Sequence, residues 1–150
     1  MTTEPGATPD NPIDNSVDWI AEQIKAFDES DGITWPDQRG APLLLLTTLG
    51  AKSGVWRRTA LIYGEDDGRH LIVASKGGHP APPSWYLNLS ANPEVHLQVR
   101  DYKFRAIART ATPEEKPKLW DTMVGIWPAF ADYQKKTDRD IPVVILTPVS

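Results

Sequence analysis

Three strand-length apolar runs follow one another between residues 42 and 75, and the segments joining them are too short to hold a helix. The runs are PLLLLTT (42–48), WRRTALIY (56–63) and HLIVAS (70–75), with GAKSG (50–54) and EDDG (65–68) between them. A parallel pair needs a crossover of roughly a dozen residues, so links this short predict antiparallel turns. The expected unit is an antiparallel meander in which the third run pairs with the second.

The rest of the chain adds to this sheet. Residues 94–99 and 102–110 form a second hairpin around Arg100-Asp101, and PVVILT (142–147) is a sixth strand. Helical spacing appears in four places. Residues 17–28 carry Val17, Ile20, Ala21, Ile24 and Phe27 on one stripe, behind Asn15 or Ser16 as N-cap. Ser84 precedes a short helix at 85–91 as its N-cap. Thr112-Pro113-Glu114-Glu115 reads as a capping box opening a helix at 113–124. A last helix, 127–136, places Trp127, Phe130 and Tyr133 on a common face. Helices do not alternate with strands, so the reading is α+β: a six-stranded, mostly antiparallel small barrel or half-barrel with short flanking helices. Residues 1–14 read as a flexible tail, 15–150 as one domain and 29–40 as a loop.

Composition narrows the function. There is no cysteine, which excludes disulfides, thiolate nucleophiles and Cys-ligated zinc. No apolar run is long enough to span a membrane, and residues 1–16 lack the basic and apolar regions of a signal peptide, so a cytoplasmic protein is expected. The net charge of −4 argues against nucleic acid as a partner. That charge is uneven. Residues 1–31 hold eight acids and one base, and the remainder holds twelve acids and fifteen bases. The first helix packs on the body in one reading and touches a membrane surface in another, but its acidic polar face opposes anionic lipid.

Several chemistries are absent. GxGxxG and GxSxG do not occur, and the three histidines show no metal-ligand spacing, so no metal is expected. GAKSG lacks the glycines of a P-loop and does not lead into a helix. What remains is a basic segment with Lys52, Arg57, Arg58, Arg69 and Lys76, whose acids are confined to one turn. Such a surface suits a small anion, and the 50–54 turn offers backbone N–H groups, a hydroxyl and an ammonium to it. Arg57 and Arg58 are neighbours in a strand, so their side chains point to opposite faces and only one joins a shared ligand. The expected pairing of the second and third runs would bring Lys76 near Lys52, Ser53 and Arg57. The aromatic residues Trp85, Tyr86, Trp127, Phe130 and Tyr133 are core residues in one reading and a slot for a conjugated ring in the other.

LLTTLGAKSGVWRRTAL, VASKGG, WYLNLSANPEVHLQV and YQKKTDRDIPVVILTP, in this order and spacing, resemble the deazaflavin-dependent nitroreductase family of actinobacteria. The resemblance covers about residues 41–148. It implies a split β-barrel of the flavin-binding type and the cofactor coenzyme F420, a deazaflavin with a phosphate and polyglutamate tail. It assigns the tail phosphate to Ala51, Lys52, Ser53 and Arg57. Arg58, Thr59, Ala60, Leu61 and Ile62 would line the ring, partly through backbone. Val73, Ala74, Ser75 and Lys76 would contact ring or tail, and Ser84, Trp85, Tyr86, Leu87 and Asn88 would close over it. The chain departs from nitroimidazole-activating members, which are tyrosine-rich where Trp127 and Phe130 stand. The implied activity is hydride transfer from reduced F420 to an enone, a coumarin-type lactone or a quinone. Tyr133 is the candidate proton donor, and Trp127 and Phe130 are candidate substrate contacts for a small hydrophobic electrophile. The competing readings are a carrier of F420, lipid or haem without turnover, and an FMN-dependent oxidoreductase. Monomer and homodimer both remain open.

Overall fold

A computed structural model of the chain describes residues 4–33 and 41–149. Residues 1–3 of the expected tail and 34–40 of the expected loop lie outside the described residues. Strand β1 (Ile13–Asp14) and helix α1 (Asp18–Glu29) precede β2 (Leu43–Leu49), β3 (Trp56–Ile62), β4 (Gly64–Asp66) and β5 (Arg69–Val73). A 3-10 turn (Lys76–Gly78) and α2 (Ser84–Ala91) lead to β6 (Glu94–Val99) and β7 (Tyr102–Thr110). Helices α3 (Lys116–Ile126) and α4 (Ala129–Lys135) precede β8 (Val143–Pro148). One eight-stranded sheet runs β1-β3-β2-β6-β7-β8-β5-β4, so the expected six strands become eight among the described residues.

The sheet order requires curvature. β3 and β4 are joined by Tyr63 alone, yet five strands stand between them in the ladder. In a flat sheet they would lie roughly 29 Å apart at about 4.8 Å per strand, whereas one linking residue spans only about 7 Å. The sheet therefore rolls until β4, at one end, comes back to β3, next to the other end, at Tyr63. This corrects the expected meander. β3 pairs with β2, while β5 pairs with β4 and β8.

The roll encloses one apolar cluster and leaves two outside. The interior holds Leu44, Leu46, Ile72, Leu89, Val95, Leu97, Val144 and Leu146. On one outer face α3 and α4 cover Leu71, Val73, Val143 and Ile145. On another, Ile24 and Phe27 of α1 cover Leu43, Leu45 and Ala60. Strands buried on both faces need apolar residues at every position, which is why β2 and β8 read as unbroken runs. β7 has an exposed outer face, and YKFRAIART accordingly alternates, with Ala106 and Ala108 buried and Lys103, Arg105 and Arg109 outside.

Residues 4–14, expected to be a flexible tail, lie against the sheet instead. β1 adds a parallel strand to the edge of β3, Trp56 N–H donates to Gly6 C=O, and Asn15 N–H donates to Arg58 C=O. Helix α1 begins at Asp18 behind Val17, with Asn15 Oδ1 accepting the Val17 N–H. Its stripe is spent on the body except at Val17, and Trp19 is 61% exposed. Ser84 is the first residue of α2 rather than its cap; Pro83 occupies the cap. The capping box forms as expected, with Thr112 N–H on Glu115 Oε1 and Glu115 N–H on Thr112 Oγ1, although α3 proper starts at Lys116.

Candidate functional site

The turn between β2 and β3 is held by short-range constraints. Gly50 N–H bonds Val55 C=O and Gly54 N–H bonds Gly50 C=O. A Cβ at Gly50 would lie 2.3 Å from Ser53 Oγ, so any larger residue there would displace the Ser53 hydroxyl. Ala51, Lys52 and Ser53 are exposed on this turn. The Ala51 N–H is taken by Asn88 Oδ1 at 3.0 Å, and Asn88 Nδ2 donates to Thr48 Oγ1 at 3.3 Å. Asn88, expected to close over a ligand, is buried and ties α2 to the turn. The donors left for an anion are the Lys52 and Ser53 N–H groups, the Ser53 hydroxyl and the Lys52 ammonium.

Register separates the two arginines. Arg57 stands opposite Thr48 and Arg58 opposite Thr47. Opposed residues share a face, so Arg57 lies on the α2 side with Thr48, and Arg58 lies on the α1 side. The Arg58 guanidinium is bonded to both Asp14 (2.6 and 3.0 Å) and Asp28 (3.3 and 2.9 Å). Burial works against its charge, but those two carboxylates outweigh it and raise its pKa. The Arg58 guanidinium is thus held by carboxylates and not left for a ligand. Arg69 is likewise paired, with Asp66. Lys52, Arg57 and Lys76 have no carboxylate partner among the described residues.

The same alternation divides the rest of β3. Leu61 packs on the interior cluster, while Ala60 and Ile62 pack on the two outer ones. Thr59 is buried and its hydroxyl accepts from Asn15 Nδ2. Val73 also turns its side chain outward, into the cluster under α3 and α4. Of the residues expected to line a ring from β3 and β5, Thr59, opposite Leu46, and Leu61, opposite Leu44, stand on the interior side together with the backbone.

Lys76 lies in the turn after β5. Three successive residues there adopt positive φ: Lys76 (46°), Gly77 (62°) and Gly78 (84°). The turn packs on α4, where a Cβ on Gly78 would fall 2.7 Å from Tyr133 C=O. Because β5 does not pair with β3, the expected ladder that would carry Lys76 to Lys52 does not exist.

The aromatic residues form two groups instead of one slot. Trp85 and Tyr86 pack against the interior cluster, and Tyr86 Oη shares a hydrogen bond with Thr110. Phe130 is buried in the outer cluster, with Trp127 and Tyr133 half-buried against it. Phe130, expected to contact substrate, is a core residue. Tyr133 meets Phe130 edge-to-face at 6.1 Å, with Lys136 Nζ 5.7 Å from its ring centroid. Ser84 and Leu87 are exposed on α2.

The sequence profile of the F420H(2)-dependent quinone reductases matches residues 19–148. The chain belongs to the F420H(2)-dependent quinone reductase family. An F420H(2)-dependent quinone reductase of Mycobacterium tuberculosis is 43% identical over 109 residues, covering 71% of this chain and 73% of the relative. A solved F420-H2 dependent reductase is 46% identical, covering 70% of this chain and 93% of its own, with a TM-score of 0.65. A solved structure described as a domain-swapped dimer is 42% identical, covering 88% and 99%, with a TM-score of 0.67.

Membership makes the chain an oxidoreductase that uses reduced F420. The donor set fits such a cofactor. Its tail is multiply anionic, and the unpaired cations of the basic segment are those of the 50–57 turn and strand and of the 76–78 turn. As a member of the F420H(2)-dependent quinone reductase family, the chain also shows a residue that its sequence pattern did not single out. Arg139 donates to the carbonyls of His79, Ala74 and Ser75 at 2.9, 3.1 and 2.8 Å. An arginine between two aspartates reads as a surface residue, and no periodicity marks one that binds backbone carbonyls.

Proposed function

We propose that this protein reduces a quinone at the expense of reduced F420, with the cofactor tail on Lys52, Ser53, Arg57 and Lys76. The observation that carries the reading is the contrast among neighbouring cations. Arg58 and Arg69 are neutralised by carboxylates, whereas Lys52, Arg57 and Lys76 are left for a ligand. When bound, F420 supplies a hydride from its reduced ring. The chain's own part is to hold the tail, seat the ring along Leu61 and the interior mouth by α2, and exclude water.

In this reading the rolled sheet is a split β-barrel, the protein is cytoplasmic, and it works as a monomer or homodimer. Other activated double bonds, in enones and coumarin-type lactones, are further acceptors. Tyr133 donates the proton or orients the acceptor, with Trp127 beside it. The test is titration with F420 and with FMN, followed by fluorescence, and then oxidation of reduced F420 by menadione. Submicromolar F420 binding with menadione-dependent turnover supports the reading. FMN binding without F420 binding contradicts the cofactor assignment, and F420 binding without turnover on any quinone, enone or coumarin leaves a carrier.

A further inference from the structure

The carbonyls that Arg139 gathers have a consequence on the far side of the same peptide groups. No peptide bond in the described chain is cis. In a trans peptide the C=O and the following N–H point in opposite directions. Turning the Ala74 and Ser75 carbonyls toward Arg139 therefore turns the Ser75 and Lys76 N–H groups away from it. Neither N–H has a hydrogen-bond partner among the described residues, although Ser75 is buried. Both precede the Lys76 ammonium, which is also unpaired.

We propose that Arg139 is a positioning residue that builds an anion seat from the Ser75 N–H, the Lys76 N–H and the Lys76 ammonium, and so holds the charged tail of F420 without touching it. The proposal rests on the F420 reading of the site. A guanidinium suits the task because its planar fork reaches three carbonyls at once, which a lysine ammonium on a single flexible stem does not. The backbone it fixes is one that needs holding, since Lys76 sits at φ 46° without being glycine.

Arg139 is itself held. Gln134 Nε2 donates to Arg139 C=O at 2.8 Å, and Gln134 Oε1 accepts the Ile141 N–H at 2.9 Å. Gln134 follows Tyr133 in α4, and Tyr133 abuts Gly78. The seat, Arg139, Gln134 and α4 thus close a ring, which places the tail's hold and the candidate proton donor on one rigid unit.

The experiment compares wild type with Arg139→Lys, which keeps the charge but not the fork. Affinity is measured for F420 and for its tail-less riboside, together with kcat and KM, and with amide exchange at Gly78 and His79. Arg139→Lys should weaken F420 about tenfold, the loss of one or more charge-assisted bonds, leave riboside affinity unchanged, and raise KM for the cofactor while kcat stays within about twofold. Unchanged F420 affinity, or equal weakening of both ligands, would overturn the seat. Wild type that fails to bind F420 would instead overturn the F420 reading. The clamp is then judged on exchange alone: faster exchange at Gly78 and His79 in Arg139→Lys supports it, and unchanged exchange refutes it. Should Arg139→Lys not fold, Gln134→Ala is expected to act in the same direction by a smaller factor, and no change there counts against the proposal.

Discussion

Asn88 accepts the Ala51 N–H at 3.0 Å from a helix 37 residues further along the chain, and donates to Thr48 beside it. Helix α2 is thereby fastened to the turn that carries Lys52 and Ser53. Asn88→Ala should leave the Ala51 N–H and the Thr48 hydroxyl without their partner, costing about 1–3 kcal/mol. A lower Tm together with weaker F420 binding is expected. F420 affinity equal to wild type would mean that the turn needs no fastening.

Arg57 and Arg58 should separate cleanly on substitution. Arg57→Ala removes a cation with no structural partner, so Tm is expected to stay within about 1 °C. F420 affinity should fall about tenfold, as for a lost charge-assisted bond. Arg58→Ala leaves Asp14 and Asp28 unpaired and should lower stability by about 1 kcal/mol, with F420 affinity unchanged. Thermal melts and F420 titrations of both variants check this, and the reverse pattern would invert the assignment of faces.

Stability should depend on pH through His70. Its ring lies 5.4 Å from both Tyr63 and Phe104, and its Nδ1 is buried without a partner. Burial lowers its pKa, against the opposing charge of Glu65, whose carboxylate is 3.6 Å from Nε2. The folded state thus binds the proton less readily than the unfolded chain. Stability is full above the ordinary histidine range near pH 6.5 and falls as pH drops through the lowered folded value. His96, also lowered by burial, acts in the same direction. Melts between pH 8 and 5 should show Tm falling below about pH 6.5, with a shallower fall in His70→Phe. An identical slope in the two proteins would place the titration elsewhere.

Much of this arrangement was legible in the residues themselves. The unbroken apolar runs at 43–46 and 143–146 were legible as strands, though not as strands covered on both faces, and strand alternation put the Arg57 and Arg58 side chains on opposite faces. The capping box at Thr112 and Glu115 formed as its spacing required. What failed was non-local. Ile13–Asp14 is too short to carry a pattern, and its place beside β3 depends on Asp14 meeting Arg58. Gly64–Asp66 looked like part of a turn because the ladder changes partner at Tyr63. Phe130 and Tyr133 do share α4, but Trp127, expected on the same helix, is the extended residue that ends α3, and spacing does not say whether the opposite wall is a ligand or Ile145. Arg139 left no trace in the pattern because its partners are carbonyls, which every residue possesses.

The central claim is that Lys52, Ser53, Arg57 and Lys76 hold an anionic tail. The most direct measurement is the affinity of the wild-type protein for F420 against that for the tail-less deazaflavin riboside, at low and at high salt. F420 should bind at least about a hundredfold tighter, two or more charge-assisted contacts' worth, and the gap should narrow as salt rises. Equal affinities for the two at low salt would contradict the claim.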